Sequence, residues 1–244
     1  MNFSRNFFDS LAFTRTTLMG KLSRWLTFIL LLVPWLILSL VLDGTKINEG
    51  ATIHWDRIPW GFVIPLTAAG IITSVFVSGY IVRLLRAGGS PPGFDDWRTL
   101  ASDGIRMDIV VILWALPFLA VATSIGLSFA MLPLLGITGM AVLCIVVIYG
   151  LSGIIRFSRT GSIAEGYAFP GIGETIHRIG WGNYFAGLLI LLVIVAAFTF
   201  ASWLLSGIPV VGMIIPITLK PLIVIFCCRF LKNIYDSGLY EKIP

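Results

Sequence analysis

The chain has 244 residues and a formal net charge of +5, and 57% of its residues are hydrophobic while only 12% are charged. A soluble domain normally carries about a quarter charged residues. This composition, with a mean hydropathy of +0.96, therefore excludes an ordinary soluble domain and is typical of a chain that lies in a membrane.

The apolar runs have the lengths that membrane-spanning helices need. About 20 apolar residues cross roughly 30 Å of hydrocarbon. Proline and glycine at 132–136 and at 206–209 mark turns that divide the two longest runs in half. The sequence therefore predicts an all-α integral membrane protein with six transmembrane helices, at 22–42, 59–85, 109–130, 133–156, 183–205 and 209–231.

An amphipathic stretch that ends near a glycine precedes each odd-numbered predicted helix. The three stretches begin at Phe8, Phe94 and Phe169, and each places its apolar residues on one helix face. Segments that are apolar on one face and polar on the other lie along membrane surfaces. We therefore expect three amphipathic surface helices on the cytoplasmic side.

Lysine and arginine fall almost entirely on one side of the predicted spans. Fourteen of them precede helix 1, follow helix 6, or lie between helices 2 and 3 or 4 and 5, whereas Lys46 and Arg57 lie on the other side. Cytoplasmic loops carry such an excess. The sequence thus predicts a multi-pass protein of the cell (cytoplasmic) membrane with both termini in the cytoplasm. Its positive charge then contacts anionic lipid headgroups, and no nucleic-acid partner is expected.

Three features recur together along the chain. Each even-numbered helix begins with a proline followed closely by a glycine, and a basic pair lies about 35 Å of helix further on, which is one bilayer thickness. The sequence therefore predicts one membrane domain, 1–244, built from parallel helical-hairpin repeats at approximately 7–88, 94–161 and 167–238. The basic pairs are Arg83 and Arg86, Arg156 and Arg159, and Arg229 and Lys232.

The basic pairs have two interpretations. Residues three apart lie on the same face of a helix. Each pair can therefore contact lipid phosphates or the next surface helix from one side. We interpret all six residues as lipid-phosphate or interface contacts.

Part of this pattern resembles a known family. The stretch GYIVRLLRAGGSPPGFDDW at 79–97, followed by ASDGIR at 101–106, is similar to the hallmark segment of domain of unknown function 4013, a prokaryotic and largely archaeal family of membrane proteins. The turn at 208–212 and the stretch 164–180 fit the later part of the family, so the resemblance covers nearly the whole chain. It implies a multi-pass architecture without an assigned activity, and Lys220 is not part of the family pattern.

Lys220 is the residue that costs most to place in a membrane. It lies eleven residues after Pro209, near the predicted bilayer midplane, where an ionised lysine costs about 2.5–3.5 kcal/mol. Pro216 and Pro221 leave nearby carbonyl groups without their helical donors, so we expect a kink there. The ammonium then either binds an anionic group inside the bundle or is a structural lysine satisfied by the backbone or the interface.

Four aspartates between 95 and 108 form an acidic cluster. Four carboxylates could hold a divalent cation, but their spacing is not that of a calcium loop and no histidine is near. We therefore expect the first two to cap a surface helix, and Asp103 to pair with Arg106 or with the pair Arg83/Arg86.

The sequence carries no phosphate-binding loop, nucleophile elbow or zinc-protease helix. We therefore expect no enzyme activity, no cofactor and no metal. The predicted function is a non-catalytic membrane scaffold or accessory subunit of a membrane complex, with a protein partner or a second copy as its associate. The alternative is a small-solute or ion transporter with an anion-binding point at Lys220. A transporter should have a polar path to Lys220, whereas a scaffold should be tightly packed there.

Overall fold

Long helices dominate the computed structural model, which describes residues 2–19, 22–44, 48–49, 52–127, 132–206, 208 and 211–240. A two-residue antiparallel ladder joins β1 (Asn48–Glu49) to β2 (Thr52–Ile53), and a short 3-10 turn covers Trp55–Arg57. The α-helices of the described residues are α1 (Phe3–Met19), α2 (Leu22–Gly44), α3 (Trp60–Arg86), α4 (Trp97–Leu127), α5 (Leu132–Thr160), α6 (Ile163–Gly166), α7 (Phe169–Ile179), α8 (Trp181–Ser206) and α9 (Val211–Tyr240).

Five described helices are long and apolar enough to cross a membrane. They are Leu22–Leu42, Trp60–Arg86, Trp97–Thr123, Ile137–Thr160 and Trp181–Leu205. They are consistent with a membrane protein and match five of the six predicted spans. The sixth, predicted at 209–231, corresponds to α9. Within the described residues α9 is not among the five. The predicted turn at 206–209 lies partly outside the described residues.

The sequence predicts a break between a second surface helix and the third span. The structure has no such break, since α4 is one continuous helix from Trp97 to Leu127. Gly104 lies at a helix–helix contact instead: a Cβ on it would overlap the carbonyl oxygen of Val75 in α3. Likewise, a Cβ on Gly79 would overlap the carbonyl oxygen of Leu100. The two glycines therefore let the backbones of α3 and α4 lie against each other, as small residues do between packed helices.

The other two amphipathic stretches form separate helices, α1 and α7. In α7 the side chains of Ile172, Ile176 and Ile179 are buried. Gly180 follows with a φ of +86°, a backbone conformation that glycine adopts without steric cost. The chain therefore turns there from α7 into α8.

The helices α3, α5 and α9 contact one another, and each also packs against the long helix before it in the chain, namely α2, α4 and α8. Buried side chains gather where α3, α5 and α9 approach their C-terminal ends, as in the cluster around Tyr80, Leu84 and Ile225 and the cluster around Phe157 and Phe230. Many apolar side chains elsewhere on the long helices are exposed. Exposed apolar surface of this extent marks contact with a membrane or a partner.

Candidate functional site: a ring of basic residues

The six predicted basic residues lie towards the C-terminal ends of α3, α5 and α9, and we call them the basic ring. Their spacing is regular: Arg83, Arg156 and Arg229 are 73 positions apart (83 to 156 and 156 to 229). Arg86, Arg159 and Lys232 follow each of them by three positions and share that separation. The pairs were predicted from the local sequence, but this constant separation was not.

One set of contacts joins the three helices in a closed circuit. The Nε of Arg86 donates a hydrogen bond to the carbonyl oxygen of Ser158, and so joins α3 to α5. Arg159 forms an ion pair with Asp236, which joins α5 to α9. Arg229 donates from Nη1 to the carbonyl oxygen of Gly88, directly beyond α3. The last contact closes the circuit.

The first arginine of each pair also contacts a chain segment outside these three helices. Arg83 Nη1 donates to the carbonyl oxygen of Gly93 at 3.2 Å, and its Nη2 donates to that of Asp96 at 2.9 Å. Arg156 Nε donates to the carboxylate of Glu165 at 2.7 Å. These segments lie directly before α4 and α7. The two arginines therefore fix the position of the chain where it enters these helices.

Arg86 and Asp103 form a two-pronged ion pair between α3 and α4. The Nη1–Oδ2 distance is 2.6 Å and the Nη2–Oδ1 distance is 3.3 Å. The Asp103 side chain is only 8% exposed, and such bidentate pairs are the stronger kind of charge-assisted hydrogen bond. The predicted pairing of Asp103 with the basic pair of α3 is thereby confirmed.

Asp9 of α1 is the acceptor at the third junction. Its Oδ2 accepts hydrogen bonds from Arg229 Nε at 2.8 Å and from Asn233 Nδ2 at 2.9 Å. Partial burial of Asp9 raises its pKa, but these two hydrogen bonds and the nearby positive charges outweigh burial, so the pKa lies below its ordinary value. The guanidinium of Arg229 also lies 4.7 Å from the ring centre of Phe13, so α1 is held to α9 by charge and by an aromatic face.

Asp236 lies between two cations of the ring. Lys232 Nζ donates to its Oδ2 at 2.9 Å, while Arg159 pairs with its Oδ1. Asp236 is 17% exposed and Lys232 is 11% exposed at the side chain. The single carboxylate therefore contacts both cations and compensates one of their two positive charges, at a site largely removed from solvent. Asp236 is not among the predicted site residues, since only the fold brings it to Arg159.

The aspartates of the acidic cluster have separate roles. Asp96 accepts hydrogen bonds from the backbone and hydroxyl of Thr99, and these bonds lower its pKa. It therefore caps α4, whereas the prediction had Asp95 and Asp96 cap a separate surface helix. Asp108 accepts a hydrogen bond of 2.6 Å from the Ser78 hydroxyl. Within the described residues, no three histidine, cysteine, aspartate or glutamate side chains are grouped closely enough to hold a metal ion.

A polar cavity of about 540 Å³ opens beside the ring, between the first turns of α1 and the last turns of α9. Its walls carry both signs of charge, with Arg5, Arg229 and Lys232 opposed by Asp9 and Asp236. These walls present hydrogen-bond donors and acceptors to a polar group that enters the cavity.

Lys220 lies on an exposed side of α9, next to the buried Ile217. It does not line the polar cavity beside the basic ring. The prediction left two alternatives open for Lys220: an anion-binding point inside the bundle, or a structural lysine satisfied by the backbone or the interface. In a membrane-spanning α9 this position would face lipid, where an ionised lysine near the centre costs about 2.5–3.5 kcal/mol.

The described residues form a bundle of helices with paired charges at one end, and five of these helices could cross a membrane. This arrangement is consistent with a membrane protein. The family described as "Protein of unknown function (DUF4013)" matches residues 62–207, which are more than half of the chain. The chain belongs to this family. The match includes the hallmark stretch at 79–106 and four ring residues, but it ends before the turn at 208–212. No curated protein and no solved structure matches the chain.

Proposed function

We propose that the protein is a non-catalytic integral membrane protein that serves as a scaffold or accessory subunit of a membrane complex. The observation that carries this proposal is the pairing of the basic ring, in which every member contacts an acceptor of the same chain. Acid–base and nucleophilic catalysis need a positioned group that is available to the substrate. Groups that neutralise one another instead fix the positions of helices.

The architecture that we propose is a triplicated hairpin with a pseudo-threefold axis normal to the membrane, with units near 7–88, 94–161 and 167–238. The constant separation of 73 residues and the closed circuit of contacts support it. In this proposal α9 is the sixth span, and α1 and α7 lie at the cytoplasmic surface of a prokaryotic cell membrane. Both termini are then cytoplasmic, because the first described turns of α1 and the last described turns of α9 line the cavity beside the ring.

The partners that we propose are anionic lipid headgroups at the basic end and either a second protein or a second copy of this chain. The exposed apolar side chains of the long helices support a lipid or helical neighbour. The polar cavity beside Asp9 and Arg229 supports contact with polar groups at the ring. No observation favours a transport site at Lys220, because its exposed position is outside the packed interior.

Cross-linking within intact membranes tests the scaffold proposal. A photo-reactive residue placed at Arg5, in the wall of the polar cavity, should form a reproducible product of fixed stoichiometry with one partner or with a second copy. The variant Arg229→Gln, which loses the contacts to Asp9 and Gly88, should lose that product. Arg98→Gln, which changes an exposed arginine outside the ring, should keep it.

Two results would contradict this proposal. One is a protein that cross-links only to lipid and stays monomeric in membranes. The other is a reconstituted protein that moves a solute across vesicle membranes and stops doing so when Lys220 is replaced by methionine. The second result would establish the transporter alternative.

A further inference from the structure

An apolar groove of about 480 Å³ lies beneath α1, on the opposite side from the polar cavity. The groove is bounded by residues 7–15 of α1, by Ile194 and Phe198 of α8, and by residues 219–226 of α9. At 3.6 residues per turn, Phe7, Leu11 and Arg15 lie on one face of α1, and the residues that line the polar cavity lie on the other. Thus α1 separates a polar cavity from an apolar groove.

The groove walls are almost entirely hydrocarbon. The Thr14 hydroxyl donates to the carbonyl oxygen of Ser10 at 2.7 Å within α1 itself, so its hydrogen is already bonded. The α8 and α9 walls are all apolar, with Phe226 at one end and Leu219 at the other. A cavity of this volume is in the size range of small-molecule sites, about 300–1,000 Å³. Its surface suits a flexible hydrocarbon chain.

Arg15 gives the groove a charged edge. The side chain lines the groove and is exposed, and within the described residues no carboxylate lies at ion-pair distance from it. Arg86, Arg156 and Arg229 each have a carboxylate partner, so Arg15 differs from them in having its guanidinium free for an anion. Arginine binds phosphate oxygens through paired N–H groups.

We infer that this groove binds one acyl chain of an anionic phospholipid, with the lipid phosphate on Arg15. An apolar groove with a single unpaired cation at its edge matches a molecule with one hydrocarbon chain and a negative group at its end. A helix of a partner would fill the groove but would leave Arg15 without an anion. The inference depends on the membrane location proposed above.

Lipid retention measured by native mass spectrometry tests the inference. Protein in mild detergent is incubated with vesicles of equal parts phosphatidylglycerol and phosphatidylcholine, and the lipids retained per chain are counted. We expect one retained phospholipid and about a fivefold preference for phosphatidylglycerol, since one basic side chain near a membrane surface contributes about that factor.

Two variants test the binding of the acyl chain and the binding of the headgroup separately. Leu11→Trp should fill the groove and abolish retention, and Leu11 is 52% exposed, so folding should be preserved. Arg15→Gln should keep the retained lipid and lose the preference for phosphatidylglycerol. The matched controls are Leu192→Trp, at an exposed leucine of α8 outside the groove, and Arg98→Gln, and both should behave like the unchanged protein.

Retention of lipid by Leu11→Trp at the unchanged level would overturn the inference, as would an undiminished preference for phosphatidylglycerol in Arg15→Gln. A dimer that excludes lipid from the groove would overturn it as well. Carbonate washing of membranes separates this failure from failure of the proposed function. A protein released by the wash contradicts the membrane proposal, whereas one that stays but retains no lipid contradicts the groove inference alone.

Discussion

The guanidinium of Arg86 contacts both the carboxylate of Asp103 and the carbonyl oxygen of Ser158, so a single side chain joins α3, α4 and α5. Seventeen positions separate Arg86 from Asp103, but 72 separate it from Ser158. Most of this residue's effect on stability should therefore come from contacts between helices rather than within one.

Replacement of Asp103 by asparagine should destabilise the fold. The change removes the charge that compensates Arg86. Because the Arg86 side chain is about one-third exposed, its solvation by water offsets part of the lost ion-pair energy. We expect the free energy of unfolding in detergent to fall by about 1–2 kcal/mol. Asp95→Asn, at an exposed position near the same loop, is the control and should change it by less than about 0.5 kcal/mol. Equal effects of the two variants would contradict the prediction.

The double variant Arg86→Gln/Asp103→Asn measures the pair itself. If the two side chains stabilise the fold through their mutual contact, the combined loss should be smaller than the sum of the single losses. Additive losses would assign the effect of Arg86 to its bond with Ser158 instead.

The sequence predicted the long helices well because their signal is local. A run of apolar residues bounded by glycine and proline needs no tertiary information, and the five described helices that could cross a membrane follow from it. The extent of α4 could not be predicted this way. Gly104 has the local signature of a helix end, but its lack of a side chain serves the contact with Val75 of α3. Tertiary packing therefore decides the role of this glycine.

The partners of the basic ring were predictable only where they are near in sequence. Asp103 lies close enough to Arg86 for charge and spacing to indicate the pair. Asp9 and Arg229 are 220 positions apart, and no local pattern connects them. The constant 73-residue separation was present in the sequence and could have indicated that Arg229 contacts an amphipathic segment, as Arg156 does, but not which carboxylate it binds.

Substitution of Gly104 by alanine should force α3 and α4 apart. The added methyl group overlaps a backbone carbonyl oxygen, which cannot rotate away, so we expect a loss of about 1–3 kcal/mol. Gly182→Ala in α8 meets no atom within 4 Å and should be neutral or stabilising by up to about 1 kcal/mol, since alanine is the better helix former. Thermal unfolding of both variants in the same detergent checks the prediction. A Gly104→Ala protein as stable as Gly182→Ala would exclude the close backbone contact.

The stability of the contact between α1 and α9 should depend on pH. Because the pKa of Asp9 is lower in the folded protein than its ordinary value near 3.8, the carboxylate stabilises the fold when ionised. This contribution is fully present above the unfolded-state pKa and is lost as the pH falls through the folded-state pKa. Proteolysis of α1 should therefore accelerate below about pH 4.

The variant Asp9→Asn isolates that effect. It cannot ionise, so cleavage of α1 should already be fast at neutral pH and should change less on acidification. Asp95→Asn should keep the acid-dependent profile of the unchanged protein. If Asp9→Asn and the unchanged protein respond alike to pH, another group controls the attachment of α1.

Replacement of Arg229 by lysine should weaken the third junction although the charge is kept. Arg229 donates to Asp9 and to the carbonyl oxygen of Gly88 and lies over the ring of Phe13, and a lysine ammonium cannot make these three contacts together. We expect a loss of about 1–2 kcal/mol in detergent. Arg98→Lys, at an exposed arginine, is the control. A stable Arg229→Lys protein would mean that net charge alone holds α1.

Lys220→Met should favour membrane insertion and leave assembly intact. The substitution keeps the length of the side chain and removes a charge that costs about 2.5–3.5 kcal/mol at the centre of a span. Lys220 is exposed on α9 and Lys232 is almost buried beside Asp236, so Lys232→Met is the contrasting variant and should disrupt the ring. Glycosylation-mapped insertion of α9 together with the unfolding temperature of each variant checks both expectations. Loss of folding or assembly in Lys220→Met, with Lys232→Met unaffected, would reverse the assignment and make Lys220 the functional cation.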